Sequence, residues 1–131
     1  MELLERYKEE VLKDLVITDF NIKEIQLKLP SRKHFWVARL IDAKISLNSL
    51  IKKKKYIKKT LVTKVIAEAQ VRLTQQAAEL AAESTEELVN ITNNIKDQEY
   101  IIEYLEKIEK IMSSMGFDIK NIIEIQKLEQ L

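Results

Sequence analysis

Apolar side chains recur every three or four residues along most of the chain, the spacing of one face of an α-helix. Leu4, Tyr7, Val11 and Leu15 form the first such stripe and predict an amphipathic helix from about Leu3 to Leu15. Val16-Ile17-Thr18-Asp19 breaks the period, and Thr18 or Asp19 is placed to cap a second, short helix from about Phe20 to Lys28. Pro30 disfavours helical backbone at Leu29, and Ser31 stands where the next helix needs a cap.

From Arg32 to about Glu83 there is neither Gly nor Pro. Trp36, Leu40, Ala43, Leu47, Leu50, Ile57, Leu61 and Val65 alternate by four and three, skipping Lys54; Ile66, Leu73, Ala77 and Leu80 extend the stripe. A helix of about 50 residues would be ~75 Å long and needs a partner helix. Thr60-Leu61-Val62 and Thr74-Gln75-Gln76 are the two places where it can break. Ser84-Thr85-Glu86-Glu87 matches a capping box, with Ser84 as cap and Glu87 three residues on. The helix it opens carries Ile101, Leu105, Ile108, Met112 and Met115, and Gly116 stands where a C-cap needs positive φ. Asp118 can then cap a final helix bearing Ile119, Ile122, Ile123, Ile125 and Leu128.

Composition agrees with an all-α fold. In 131 residues there is one Gly and one Pro, too few for the turns of a β-rich chain. The expected architecture is a single domain over residues 1–131: long antiparallel helices forming a helical hairpin, with short flanking helices. There is no cysteine, so disulfides and thiolate metal sites are excluded. No apolar run approaches the roughly 20 residues that span a bilayer, and the N-terminus is acidic rather than signal-like. A soluble intracellular protein is expected.

Charge changes the picture. Residues 1–72 carry 17 basic and 9 acidic side chains, net +8, while residues 73–131 carry 5 and 12, net −7. Opposed charge favours head-to-tail contacts of the kind that close into rings. Between Lys28 and Lys64, twelve of thirteen charged side chains are basic, Asp42 being the exception. The densest part is Lys52-Lys53-Lys54-Lys55-Tyr56-Ile57-Lys58-Lys59, with Lys64 shortly after. Such a block repels itself unless a polyanion neutralises it.

Candidate chemistry is sparse. One glycine cannot build a phosphate-binding loop, and His34, the one histidine, has no Cys or carboxylate cluster beside it. No catalytic residue, metal site or cofactor is therefore expected, and Glu83, Glu86 and Glu87 read as helix-surface acids. The lysine block has three readings: a solvated helix face, an anionic membrane surface, or nucleic-acid phosphate. The last is favoured, because six lysines in eight residues exceed what solubility asks for. Single strands fit better than duplex, since no groove-reading motif is present and lysine neutralises phosphate without reading bases. Tyr56 is placed either to stack on a base or to pack beside Ile57. Phe35 and Trp36 read as packing anchors.

Three segments carry a resemblance. Glu9-Glu10-Val11-Leu12-Lys13-Asp14-Leu15-Val16-Ile17 is an early helix followed by a break. Leu29-Pro30-Ser31-Arg32-Lys33-His34-Phe35-Trp36-Val37-Ala38-Arg39-Leu40 leads into the lysine block. Met115-Gly116-Phe117-Asp118-Ile119-Lys120-Asn121-Ile122-Ile123 lies near the end. In length, order and motif the chain resembles the UvsY recombination mediators of tailed bacteriophages. The resemblance implies a non-enzymatic protein in the cytoplasm of the infected bacterial host. Its implied partners are single-stranded DNA, a RecA-like recombinase that it loads, the single-stranded-DNA-binding protein that it displaces, and no membrane. It further implies a ring-shaped homo-oligomer of about six to eight subunits, with the C-terminal part contributing to assembly. The family's Lys/Arg pair falls nearest Lys58 and Lys59; after it this chain departs from the family pattern, with Lys64-Val65-Ile66-Ala67. The candidate DNA-binding residues are Lys52, Lys53, Lys54, Lys55, Tyr56, Lys58, Lys59 and Lys64. The competing reading is a structural coiled-coil adaptor with no DNA role.

Overall fold

The computed structural model of the protein describes residues 2–130, and among them there are four α-helices and no strand. These are α1 (Glu2–Leu15), α2 (Ile22–Glu68), α3 (Gln75–Glu83) and α4 (Glu86–Glu129). The all-α expectation holds. The chain forms two compact units, Met1–Asp42 with Ile101–Leu131, and Ala43–Tyr100.

In the first unit, α1 and the first half of α2 pack on the second half of α4. Val11, Leu29, Trp36 and Leu40 are buried with Ile101, Leu105, Ile108, Met112, Met115 and Ile119, which recur by four and three along α4. α2 runs antiparallel to α1, Asp14 meeting Arg32 and Glu10 meeting Arg39, and in the turn between them Asp19 accepts from the Gln126 side-chain amide of α4 at 2.7 Å. Trp36 is 1% exposed and meets the rings of Tyr7 and Phe35 edge-on at 5.8 and 5.4 Å. Asp14 accepts from Arg32 Nε and a guanidinium NH2 nitrogen (2.8 and 2.9 Å) and from Trp36 Nε1 (2.8 Å). Arg39 lies over Tyr7, Phe35 and Trp36, 4.2–4.9 Å from the ring centres, and pairs with Glu10. Among the described residues no buried side-chain nitrogen or oxygen lacks a hydrogen-bond partner.

Two helix breaks expected from the sequence are absent. Pro30 lies inside α2, which is unbroken from Ile22. A proline there forfeits a backbone bond and costs about 3 kcal/mol. Ile25, Leu29, Arg32, Trp36 and Leu40 keep helical phase across it, so burial of Leu29 and Trp36 and the Arg32–Asp14 pair offset that cost. Likewise Gly116 neither ends a helix nor takes positive φ, and Asp118 caps nothing, because α4 runs through both. Met112, Met115 and Ile119 are buried in phase on either side of the glycine, and their burial outweighs its entropy cost of roughly 1 kcal/mol. A methyl group at position 116 would meet nothing within 4 Å. Gly116→Ala is therefore expected to stabilise the protein by about 0.5–1 kcal/mol, read as a Tm rise of roughly 2–4 °C by calorimetry.

One expected cap holds and another is displaced. Thr18 does cap α2: its hydroxyl accepts from Asn21 N, and Asn21 Oδ1 accepts from Thr18 N at 2.7 Å. At the start of α4 the cap is Thr85, whose hydroxyl accepts from Leu88 N, while Ser84 closes α3. The box expected from Ser84 to Glu87 is thus shifted by one residue, and the third helical position is apolar.

In the second unit, α2 from Ala43 onward packs antiparallel to the start of α4. Gln98 Nε2 donates to Ala43 O at 3.0 Å. α2 ends at Glu68 and passes unbroken through Thr60-Leu61-Val62; Thr74 caps α3 by accepting from Ala77 N. The expected continuation of the apolar stripe through Ile66, Ala77 and Leu80 fails, since all three are exposed. α3 instead turns Ala78 and Ala82 onto Val62, with Leu61 and Val65 alongside.

Candidate nucleic-acid interface

At 100° per residue, Lys52, Lys55, Tyr56 and Lys59 fall within an arc of about 100° on α2. All four are exposed, Tyr56 by 73%, while Lys53 and Lys64 are exposed on a flank of that face. The opposite side carries Leu50, Ile57 and Leu61, each half-buried. Tyr56 therefore does not pack beside Ile57, and its ring stands free among ammonium groups.

Lys54 and Lys58 differ from the rest. They are half-buried, one turn apart, on the side of α2 that faces the remainder of the unit. Lys58 Nζ pairs with Glu83 of α3 at 2.9 Å. That contact raises the Lys58 ammonium above its ordinary range and holds the Glu83 carboxyl below its own, hydrogen bonding first and charge second. Lys54 and Glu83 line one cavity of about 340 Å³. A second, of about 490 Å³, runs between α2 and α3, with Lys55, Lys58 and Lys59 on one wall and Gln75 and Glu79 on the other.

The eight candidate residues thus sort into an outward set, Lys52, Lys53, Lys55, Tyr56, Lys59 and Lys64, and an inward pair, Lys54 and Lys58. Of the adjacent pair indicated by family resemblance, Lys59 is exposed and Lys58 is engaged. The role of the α3 acids is what sequence reading missed: Glu83 reads there as a helix-surface acid, and Glu79 is not singled out. Glu79 and Glu83 share the four-residue step of Lys54 and Lys58, the one signal that pointed to them. His34 is an exposed helix residue, and no cluster of His, Cys, Asp and Glu among the described residues could hold a metal ion. A cavity of about 420 Å³ in the first unit has charge of both signs on its walls, with Arg32 paired to Asp14 and Lys28 to Glu24. Its lining, Glu10, Asp14 and Glu24 against Lys13, Lys28 and Arg32, carries no net charge to draw an ion in. No described helix is long and apolar enough to cross a membrane.

The chemistry of the outward set is delocalised positive charge plus one exposed aromatic ring. That suits a flexible polyanion with stackable bases better than a compact ligand.

Comparison with known proteins agrees. No curated protein matches the sequence. The structure is similar to the crystal structure of the bacteriophage T4 recombination mediator protein UvsY, with a TM-score of 0.80, 16% identity, and 96% of this chain and 98% of that one covered. At that identity the likeness establishes a shared fold. A family model described as "Recombination, repair and ssDNA binding protein UvsY" matches residues 13–130. With nearly the whole sequence matched, the chain belongs to the UvsY family of recombination, repair and single-stranded-DNA-binding proteins.

Proposed function

We propose that this protein is a non-catalytic recombination mediator that binds single-stranded DNA through the exposed lysine face of α2. In the infected bacterial cytoplasm it loads a RecA-like recombinase onto the strand while displacing the single-stranded-DNA-binding protein. The observation that carries this reading is the outward set of lysines around an exposed Tyr56 in a member of this family. Lysines on a regular helix meet phosphates without regard to sequence, as a mediator that works along any strand requires.

A ring-shaped homo-oligomer is part of the proposal. Exposed apolar side chains such as Ile41, Ile45, Ile111, Phe117 and Leu128 give a second copy something to cover. A ring also repeats the lysine face, so that a modest protomer site becomes a tight assembly site. Light scattering with and without an unstructured oligonucleotide tests both points. A ring that takes up the oligonucleotide at moderate salt is expected. A dimer that ignores it would favour a coiled-coil adaptor instead. Recombinase activity on strands coated with the single-stranded-DNA-binding protein is expected to rise when this protein is added.

A further inference from the structure

Two acids on α3 face the inner edge of the lysine block. Glu83 holds Lys58 at 2.9 Å and shares a cavity wall with Lys54. Glu79, one turn earlier, lines the groove that Lys55, Lys58 and Lys59 also line. The carboxylates thus run alongside the lysines as the charges of a strand would. We infer that α3 is a built-in competitor for DNA phosphate, its carboxylates at Glu79 and Glu83 occupying Lys54 and Lys58 until a strand replaces them. The inference rests on the single-stranded-DNA reading of the block and assigns two residues that weaken it.

The competition is one that DNA can win. The Lys58–Glu83 pair is solvent-accessible, with side chains 33% and 51% exposed, so water and salt screen it. A strand brings many phosphates and releases condensed counterions, which an internal carboxylate does not. α3 itself is only nine residues long and rests on the second unit through Ala78 and Ala82, small side chains that bury little surface. Lys54 shares a cavity wall with Glu83, and Glu79 shares one with Lys58, so each adds a weaker attraction to the one ion pair, Lys58–Glu83. A protein that hands its strand to another must also let go of it. Carboxylates waiting beside the lysines raise the rate of release.

The test is the affinity and dissociation rate of a labelled, unstructured oligonucleotide in ~0.1 M salt. Glu79→Gln/Glu83→Gln is compared with a chain carrying Asp97→Asn/Glu99→Gln, which removes the same number of charges from exposed positions of α4 in the same unit. The α3 variant is expected to bind about two- to fivefold tighter than the α4 control, the span that exposed ion pairs support, and to dissociate more slowly. In a Lys54→Met/Lys58→Met background the gain should vanish, because its target is gone. Equal binding by the α3 variant and the control, or a gain that survives loss of both lysines, would overturn the inference and leave the DNA reading intact. Failure of the unchanged protein to bind the oligonucleotide at low salt would overturn that reading and the inference together.

Discussion

Lys52→Ala/Lys55→Ala/Lys59→Ala is expected to bind single-stranded DNA about 100-fold more weakly than the unchanged protein in ~0.1 M monovalent salt, taking one phosphate contact per lysine. Each such contact contributes about −0.7 to the slope of log K against log salt, so the slope should flatten by roughly 2 per protomer. The loss should shrink as salt rises, because the lost term is counterion release. The three residues are exposed on one side of α2, so their removal leaves the core untouched. Anisotropy titrations across a salt series give both numbers. A triple variant with unchanged affinity and slope would move the DNA site elsewhere. Lys58→Ala should cost less than Lys59→Ala, since Lys58 already has a carboxylate partner.

The second large effect is on stability. Trp36→Ala should cost about 3–5 kcal/mol, as expected for a fully buried aromatic residue. It empties the centre of the Tyr7–Phe35–Arg39 cluster and removes a donor from Asp14. Trp36→Phe retains most of the ring contact and loses the Nε1 hydrogen bond. Asp14 keeps its bidentate Arg32 partner, so that variant should lose only roughly 1–2 kcal/mol. Urea unfolding followed by far-ultraviolet circular dichroism at fixed protein concentration separates the two. Equal losses would mean that the hydrogen bond, rather than the packing, dominates at this position.

Periodicity was the dependable guide to this fold, and punctuation the unreliable one. The α1 stripe and the run from Ile101 to Met115 were legible because apolar residues recur in helical phase. Pro30 and Gly116 misled because each was weighed as a local breaker. In both places the stripe resumes in phase, Leu29 to Trp36 and Met115 to Ile119, and tertiary burial decides. The opposite error falls at Ile66, Ala77 and Leu80, where the spacing continues but no described element of the chain buries them. The cap at Thr85 was missed by one residue because Ser84 and Thr85 carry the same hydroxyl chemistry.

The candidate site was visible as charge and invisible as geometry. Composition found every lysine of the block, but only the helical arrangement separates Lys54 and Lys58 from the exposed six-residue set. Glu79 and Glu83 escaped because an acid on a predicted helix surface has no marked partner in one dimension. The lysine that Glu83 pairs with, Lys58, lies 25 residues away in sequence, and nearer lysines such as Lys96 are not its partner.

An all-helical architecture also bears on how this protein can be taken apart by mutation. Within its helices the backbone donors and acceptors are already used along the helix axis, apart from the terminal turns and the bond that Pro30 forfeits in α2. A strand edge would offer partners a row of main-chain groups that no substitution removes. Among the described residues there is no such edge. Contacts along the bodies of these helices are made by side chains, so each can be switched off, graded or re-aimed one residue at a time.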